Sequence, residues 1–364
     1  VMDFIVMGRQ HNADPEWCNK AKFGHEDDIR PCLSCNWCLY RVTADQSPIR
    51  CAVNPLTARE VDNLVPMSKG EGTVCVIGAG PGGVQAALTL SERGFKVRLY
   101  EKDCEIGGAL NAANKPPHKF RIENYRQWMI RQVEKDSNIE LFLNTEVTNE
   151  MLDEWQKEGI YGVIYAGGGL PVIPKAIPGI DKAYESREVL AGTFDDKLKD
   201  KRVAVIGGGM TGLETALYLA DRGNKITLVE MLPIIGNNIF VYNARKLREE
   251  LEENDAVIKV NTQLLEVKDD AISVQPCKVH YIGTALAGAK NIAGQAKVDK
   301  EEEHNGPYDI PVDACVISLG LRPNLGIMDT LYKKFDHVTS IGECNQLGNI
   351  GTATSEGFLA AKNF

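Results

Sequence analysis

Val74-Cys75-Val76-Ile77-Gly78-Ala79-Gly80-Pro81-Gly82-Gly83 is the stretch from which the fold can be inferred, because four apolar residues run directly into a glycine-rich turn. The apolar run predicts a buried strand, and the residues after the turn predict a helix to about position 93. Gly78 permits the tight turn, Gly80 lets backbone approach a pyrophosphate, and Gly83 lets helix and strand pack closely. A second strand ends at Glu101, whose carboxylate is placed to accept hydrogen bonds from an adenosine ribose. The stretch therefore predicts a dinucleotide-binding unit.

The same unit recurs later in the chain. The turn Gly207-Gly208-Gly209-Met210-Thr211-Gly212 follows an apolar run, its acid is Glu230, and Gly207, Gly209 and Gly212 take the three glycine roles. In both copies 23 positions separate the first glycine from the acid, so we expect two similar α/β domains with parallel sheets. A carboxylate at Glu230 favours the free 2′-hydroxyl of NADH over the phosphate of NADPH, and neither Met231 nor Leu232 is basic. The second unit therefore predicts an NADH site.

Three further segments assign FAD to the first unit through their resemblance to two-dinucleotide flavoproteins. Glu105-Ile106-Gly107-Gly108 follows the unit, and its glycine pair can admit the pyrophosphate and the ribityl chain. Ala166-Gly167-Gly168 stands where those proteins have Ala-Thr-Gly. Ile341-Gly342-Glu343 resembles their closing motif, in which a Gly-Asp pair contacts the ribityl chain, so Gly342 and Glu343 are expected to contact FAD. The implied organisation is a discontinuous FAD-binding domain at 67–199 and 309–364, with an NADH-binding domain inserted at 200–308.

Four of the ten cysteines cluster near the start of the chain. Cys32-Leu33-Ser34-Cys35-Asn36-Trp37-Cys38 is followed by Cys51, whereas the other six cysteines are scattered. Three thiolates spaced by two residues converge in one compact loop, and a fourth from a return segment completes the ligand set. Zinc also accepts four thiolates, but zinc ribbons usually present two separated Cys-x2-Cys pairs, so zinc and structural thiols are the weaker alternatives. The spacing favours a 4Fe–4S cluster on Cys32, Cys35, Cys38 and Cys51, in a segment at 31–66.

Composition excludes several classes of function. A net charge of −9 provides no basic surface for nucleic acid. No apolar run approaches the ~20 residues that span a bilayer, and no secretory signal opens the chain. Clustered cysteines are typical of metal binding in a reducing compartment, so we expect a cytoplasmic location. Residues 105–118 contain no cysteine, which argues against a redox-active disulfide beside the first unit. The six histidines are scattered, and no catalytic acid or base is assigned.

Taken together, these motifs resemble the C-terminal part of the flavoenzyme family that includes 2,4-dienoyl-CoA reductase, enoate reductases and trimethylamine dehydrogenase. In that family a TIM barrel holds FMN, and a 4Fe–4S cluster and then FAD- and nucleotide-binding domains follow it. Residues 1–30 resemble the end of the barrel, with a strand at 4–7 and with Gly8 and Arg9 near the FMN phosphate. The resemblance implies reduction of an activated C=C bond, with electrons passing from NADH to FAD and then singly through the cluster to FMN.

The resemblance also implies an enoate- or enoyl-CoA-like small-molecule substrate, and it leaves a homo-oligomer open. Two other readings remain: an amine dehydrogenase of the trimethylamine dehydrogenase type that passes electrons to a flavoprotein, and a non-catalytic scaffold that binds ADP. The intact turn at 207–212 argues against the first, because the trimethylamine dehydrogenase branch has lost a working nicotinamide site. An upstream part is expected before Val1, so this chain alone is expected to accept electrons from NADH without reducing its organic substrate.

Overall fold

The computed structural model describes residues 4–63, 67–237, 239–277 and 306–364. The chain forms two compact units. Unit 1 consists of Val1–Asn114, Phe120–Leu170 and Arg322–Phe364, and unit 2 consists of Lys115–Lys119 and Pro171–Leu321. Among the described residues, no helix has both the length and the apolar composition needed to cross a bilayer.

The elements alternate between strands and helices along most of the chain. The strands are β1 (Thr73–Ile77), β2 (Lys96–Tyr100), β3 (Ile139–Phe142), β4 (Gly162–Tyr165), β5 (Gly169–Pro171), β6 (Tyr184–Glu185), β7 (Arg202–Ile206), β8 (Lys225–Val229), β9 (Val257–Lys259), β10 (Thr262–Val267), β11 (Ala271–Pro276), β12 (Tyr308–Pro311), β13 (Ala314–Ile317), β14 (Leu321–Pro323) and β15 (Val338–Ser340). The helices are α1 (Arg9–Ala13), α2 (Trp17–Lys22), α3 (Trp37–Thr43), α4 (Pro81–Glu92), α5 (Leu110–Ala113), α6 (Phe120–Lys135), α7 (Asn149–Glu158), α8 (Ser186–Leu190), α9 (Met210–Ala220), α10 (Val241–Glu253), α11 (Met328–Lys334) and α12 (Ile350–Asn363). Single 3-10 turns lie at Glu26–Asp28, Glu60–Asn63, Ile180–Lys182 and Gly342–Cys344.

Unit 1 is built on a five-stranded sheet in the order β15-β4-β1-β2-β3, and all of its pairings are parallel. In the central strand β1, Val76 pairs with Leu99 of β2 on one side and with Ile164 of β4 on the other. All three side chains are fully buried. A parallel sheet is covered by helices on both faces, so its central strands are continuous apolar runs. The carboxyl ends of β1, β2 and β4 meet at one edge, which is where ligands bind in open α/β sheets.

Helix α4 follows β1 and packs closely against α12. It begins at Pro81, a residue that suits the first helical position because no N–H is needed there. A Cβ built on Gly357 of α12 would lie 2.2 Å from the carbonyl oxygen of Gly82 in α4. The backbones of the two helices are therefore in close contact, and α12 supports α4, the helix that begins at the first glycine turn.

Unit 2 contains a second five-stranded parallel sheet, in the order β6-β13-β7-β8-β9. A three-stranded antiparallel sheet, β10-β11-β12, belongs to the same unit. The core between these sheets contains Ile206 and Val229 from the parallel sheet together with Ile272 and Val274 of β11. The prediction of two α/β units with parallel sheets is therefore confirmed.

The units divide at different points from those expected. Segments 171–199 and 309–321, which the sequence analysis placed in the FAD-binding domain, group with unit 2. The physical reason is strand pairing, because β6 pairs with β13 and β13 pairs with β7 in the second sheet. Strands of two to four residues have no distinctive periodicity, so the sequence alone did not reveal which sheet they join.

The strand expected at residues 4–7 is not formed. Phe4, Ile5 and Val6 have no regular secondary structure and are 89%, 73% and 96% exposed. No sheet among the described residues includes this segment, so its backbone groups lack the partners that define a strand.

Candidate cofactor sites

The first glycine turn is a tight link between β1 and α4. Gly78 has a φ of +103°, and a Cβ built on it would lie 2.4 Å from the carbonyl oxygen of Ala166. A Cβ on Gly83 would lie 1.8 Å from the carbonyl oxygen of Gly78. Any side chain at either position would force the backbone to shift, so packing requires both glycines. The structure thus brings together Gly78, Gly83 and Ala166, three residues that the sequence analysis expected at one FAD site.

The second glycine pair lies against this turn. The Gly107 N–H donates to the carbonyl oxygen of Ala79 at 3.0 Å, and a Cβ on Gly108 would lie 3.1 Å from the Cα of Gly80. Gly80 is the N-cap of α4. The first N–H groups of a helix have no partner within the helix, so this end can bind an anionic pyrophosphate. Because Gly80, Gly107 and Gly108 carry no side chains, a phosphate group can approach the helix end.

Glu101 is a buried carboxylate at the end of β2, and it binds the turn itself. Its two oxygens accept hydrogen bonds from the backbone N–H groups of Ala79 at 2.8 Å and Asp103 at 3.0 Å. A carboxylate has about four acceptor positions, so lone pairs remain for ribose hydroxyls. The sequence predicts only the ribose role for Glu101. The structure adds a second role, in which Glu101 holds the glycine turn in place.

The second glycine turn, between β7 and α9, repeats this steric arrangement. Gly207 has a φ of +108°, and its Cβ would lie 2.2 Å from the carbonyl oxygen of Ser318. A Cβ on Gly212 would lie 1.9 Å from the carbonyl oxygen of Gly207. Gly209, the N-cap of α9, differs from the other two because a Cβ there would meet no heavy atom within 4 Å. The helix end at Gly209 is therefore open.

Glu230 takes the place of Glu101 at the second turn. Its oxygens accept hydrogen bonds from the N–H groups of Gly208 at 2.6 Å and Leu232 at 2.8 Å. The Gly236 N–H donates to the carbonyl oxygen of Gly208 at 2.7 Å. This bond is the counterpart of the one from Gly107 to Ala79, since 28 positions separate donor and acceptor in each case. The repeat therefore extends beyond the glycines and the acid to the loop that covers each turn.

The predicted closing segment lies beside the end of β4. The Ile341 N–H donates to the carbonyl oxygen of Tyr165 at 2.9 Å, which places Gly342 next to the sheet edge. Gly342 has a φ of +70°, and its N–H donates to Glu356 Oε2 at 2.8 Å. Glu343 lies in the 3-10 turn that follows. Sequence reasoning missed Glu356, which fixes this turn from α12, because a single Glu in a polar helix position has no recognisable pattern.

Arg126 is a second residue that sequence reasoning missed. Its buried guanidinium donates to both carboxylate oxygens of Glu123 at 2.8 Å, to Glu105 at 2.8 Å and to the carbonyl oxygen of Ile106 at 3.2 Å. The ion pair with Arg126 lowers the pKa of Glu123 to about 2. The network fixes the residue immediately before Gly107. A signal was present in the sequence, because Arg126 lies between the buried Tyr125 and Trp128 on the apolar face of α6.

Unit 2 contains a buried carboxylate close to the second turn. Glu214 lies in the first turns of α9 and is paired with Lys119. Burial raises the pKa of Glu214, and the neighbouring Lys119 opposes that shift. The two residues are far apart in sequence, so spacing did not predict the pair. Because Glu214 follows Gly212 by two positions, the pair places an ionisable group next to the second glycine turn.

The four predicted metal ligands line one cavity in unit 1. Cys32, Cys35, Cys38 and Cys51 share its wall with residues that include Arg9 and Asn12. Ser34 and Asn36 have φ values of 53° and 60°, so the chain reverses twice between the first three cysteines. The Ser34 N–H donates to Cys32 Sγ at 3.4 Å. Removal from water raises the pKa of the Cys51 thiol, and the thiols of Cys32 and Cys38 raise it further because they lie close by.

The donor set at this cavity consists of thiols, so the space that they surround can be compared with what each thiolate-held group requires. Among the described residues, no three His, Cys, Asp or Glu side chains are grouped so that they could hold one metal ion. A zinc ion would draw four sulfurs to about 2.3 Å from one point. A 4Fe–4S cube is also held by four cysteine thiolates but distributes them over four iron atoms, so its thiolates surround a larger space. Four thiols around one cavity meet that requirement.

The cysteine segment packs on α12, the helix that also braces α4. Trp37 lies against Gly351, where a Cβ would be 2.6 Å from the indole Nε1. Thr354 Oγ1 donates to the carbonyl oxygen of Ala52, the residue after Cys51, at 2.8 Å. One helix thus connects the cysteine cavity with the helix that begins at the first glycine turn.

The two residues predicted to contact an FMN phosphate lie beside the cysteine cavity. Arg9 lines the cavity and donates from its guanidinium to Asn36 Oδ1 at 2.9 Å. Gly8 precedes α1, and a Cβ built on it would meet nothing within 4 Å. The structure therefore groups Arg9 with the cysteine loop, and the FMN contact stays a prediction.

Comparisons with known proteins agree with this architecture. A family model described as pyridine nucleotide-disulphide oxidoreductase matches residues 72–345. An NADH oxidase of Thermoanaerobacter brockii is 32% identical over 99% of this chain and 51% of its own length. A bilirubin reductase of Mediterraneibacter gnavus is 30% identical over 99% of this chain and 51% of its own length. The chain therefore spans about half the length of the curated relatives it matches.

A solved structure shares both the fold and part of the sequence. A complex of 2-naphthoyl-CoA reductase with 2-naphthoyl-CoA superposes with a TM-score of 0.83 at 27% identity. The match covers 98% of this chain and 50% of that one. The predicted resemblance to multi-cofactor reductases is confirmed by these comparisons.

Proposed function

The chain belongs to the pyridine nucleotide-disulphide oxidoreductase family, and from that premise we propose that it is the NADH-dependent electron-input part of a flavin and iron–sulfur oxidoreductase. The observation that carries the proposal is the presence of two glycine turns in one chain, each held by its own buried carboxylate. Two complete dinucleotide sites are what electron transfer between a nicotinamide and a flavin requires. A single nucleotide site would serve equally well for storage or for scaffolding.

FAD is proposed at the first turn. The glycine loop at Gly107, the Ala166 carbonyl and the Gly342 turn all converge on the same sheet edge. Glu101 would accept the adenosine ribose hydroxyls while it holds Ala79, and the N-terminus of α4 would face the pyrophosphate. When bound, the flavin accepts a hydride as two electrons and releases them one at a time, which links nicotinamide chemistry to a one-electron centre.

NADH is proposed at the second turn. The Gly209 end of α9 is open, and Glu230 presents a carboxylate where the ribose would lie. A carboxylate accepts from the 2′-hydroxyl of NADH and repels the 2′-phosphate of NADPH. The 4Fe–4S cluster would be held by the thiolates of Cys32, Cys35, Cys38 and Cys51. Clustered cysteines that bind a metal are typical of a reducing compartment, so a cytoplasmic location is proposed.

The electron acceptor is proposed from the relatives. Electrons would leave through the cluster towards FMN, beside which Gly8 and Arg9 would lie, and would reduce an activated C=C bond of an enoate- or enoyl-CoA-like substrate. The relatives named bilirubin reductase and 2-naphthoyl-CoA reductase support a reductase of unsaturated organic substrates. Disulfide reduction is not proposed, because residues 105–118, where a redox-active cysteine pair would follow the first unit, contain no cysteine.

The test is an anaerobic visible spectrum of the purified chain before and after addition of NADH. We expect a flavin spectrum over a broad iron–sulfur absorption, and NADH should bleach the flavin. In a Cys35→Ala variant, iron and the broad absorption should be lost while NADH still bleaches the flavin. Cys104→Ala is the matched control, because Cys104 is an exposed thiol outside the cavity. A colourless protein would support the ADP-binding scaffold instead, and stoichiometric zinc would contradict the cluster.

A further inference from the structure

Two buried side-chain oxygens lie next to the first glycine turn without a hydrogen-bond donor. They are Asn111 Oδ1 and Asn114 Oδ1, which have no partner among the described residues. Asn111 belongs to α5 and Asn114 is its C-cap, and α5 follows Gly107 and Gly108 directly. A buried amide oxygen without a donor is destabilising and rare in folded proteins. Two of them on one short helix indicate that a donor is missing at this place.

The orientation of Asn114 is fixed by its neighbours. Its Nδ2 donates to Glu123, and the same carboxylate accepts from Arg126 and from Gln127. The ion pair with Arg126 lowers the pKa of Glu123 to about 2, so Glu123 is ionised and can only accept. The amide nitrogen of Asn114 must therefore face Glu123. Rotating the amide of Asn114 by 180° would turn its oxygen towards the Glu123 carboxylate, so Oδ1 keeps its present position and can only accept a hydrogen bond there.

Three backbone amides around Gly107 cannot supply the missing donor, because they already donate to carbonyl oxygens. The Gly107 N–H donates to Ala79, the Leu110 N–H to Gly107 and the Asn111 N–H to Gly108. Asn111 Oδ1 lies 2.1 Å from the position of a Cβ on Gly107, so it is in contact with the loop that covers the first turn. Arg126 Cδ lies 2.9 Å from the same position. The two acceptors and the network that orients one of them therefore border the dinucleotide turn.

We propose that Asn114 and Asn111 accept hydrogen bonds from the flavin half of the dinucleotide, through a ribityl hydroxyl or the ring N–H, and thereby select FAD over dinucleotides and nucleotides that lack these donors. The inference rests on the proposed binding of FAD at the first turn. The adenosine half does not supply the donors, because its ribose is placed at Glu101. Arg126 and Glu123 act as positioning residues, since they orient Asn114 without touching the flavin themselves.

The test compares FAD with ADP on flavin-free protein. ADP shares the adenosine and pyrophosphate groups but lacks the ribityl chain and the ring. We expect Asn114→Leu and Asn111→Leu each to raise the Kd of FAD about five- to tenfold and to leave the Kd of ADP unchanged, measured by isothermal titration. Asn138→Leu is the matched control, because Asn138 is partly buried and its amide oxygen already accepts from Lys96. It should change neither constant.

Glu123→Gln provides a second variant that keeps the shape of the site. A glutamine amide can donate to Asn114, so the oxygen of Asn114 is no longer held free for the ligand, and FAD should weaken while ADP binds as before. An equal loss for FAD and ADP would show a merely structural role and overturn the inference, as would unchanged FAD binding in both Asn variants. If the wild-type protein binds ADP but not FAD, the proposed function fails instead.

Discussion

The two glycine turns use the same motif in different surroundings. Both are held by a buried carboxylate that accepts two backbone N–H groups, and both are covered by a loop that donates back to the turn. At the first turn a Cβ on Gly80 would lie 4.0 Å from the Cα of Gly108, Pro81 is half-buried, and α4 packs closely against α12. At the second turn a Cβ on Gly209 would meet nothing within 4 Å, and Met210 at the start of α9 is 44% exposed. The difference suits a retained cofactor at the first turn and an exchanging cosubstrate at the second.

The largest effects are expected from valine at the packing glycines. A Cβ at Gly83 or Gly212 would lie within 2 Å of a carbonyl oxygen, so each turn should be destroyed at a cost of about 4 kcal/mol or more. Gly83→Val should abolish FAD retention. Gly212→Val should keep FAD, which dithionite still bleaches, but abolish bleaching by NADH. The control is Gly306→Val, since a Cβ there meets no atom within 4 Å. Loss of FAD from the Gly212 variant would contradict the assignment of the two turns.

The next largest effect is expected from removing Arg126, and it should affect the first turn but not the second. Arg126→Met leaves the carboxylates of Glu123 and Glu105 unpaired, and we expect a loss of about 2–3 kcal/mol, below the fully buried case because both carboxylates are partly exposed. Denaturant unfolding and FAD retention should both show this loss, whereas the KM for NADH should change little. Arg245→Met removes an exposed pair with Glu249 and should cost less than about 0.5 kcal/mol. Equal losses in the two variants would show that Arg126 does not support the first turn.

A smaller effect is expected when the acids are replaced. Glu230→Ala should shrink the preference for NADH over NADPH about tenfold, because the repulsion of the 2′-phosphate is removed. Glu101→Ala should loosen FAD and leave the nucleotide preference unchanged. The measurement is the rate of flavin bleaching against concentration for each nucleotide. A wild-type enzyme that prefers NADPH would show that the carboxylate does not set the choice.

The smallest effect concerns pH. Arg126 lowers the pKa of Glu123 to about 2, below that of an unfolded glutamate, so Glu123 stabilises the protein above the unfolded pKa and this contribution is lost as pH falls through the folded pKa. Between about pH 5 and pH 3, the wild-type protein should therefore lose more stability than Glu123→Gln. Unfolding midpoints measured at both pH values check this. Parallel losses would mean that the pair is not ionised in the way the structure indicates.

The sequence predicted the parts of each site that are formed by neighbours in the chain. The glycine spacing and the acid 23 positions later were recognisable because a strand, a tight turn and a helix impose those residues locally. Glu356, Arg126 and the pair of Lys119 with Glu214 were missed. Each acts on a residue distant in sequence, so no spacing rule identifies it. The limits of the two compact units differ from the expected domain limits for the same reason, because the edge strand β6 is defined only by its pairing with β13.

What the sequence by itself determined is the chemistry available: two dinucleotide turns, two acids and four clustered cysteines. Local sterics impose the packing glycines, since a side chain at Gly83 or Gly212 would collide with the carbonyl oxygen of Gly78 or Gly207 in the same turn. What only the tertiary structure decided is how that chemistry is arranged. The α12 helix connects the cysteine cavity to the first turn, and the network of Arg126 orients a buried acceptor beside it. Such contacts arise when distant segments pack together, because burial removes water as a partner and each polar group must then find one within the protein or its ligand.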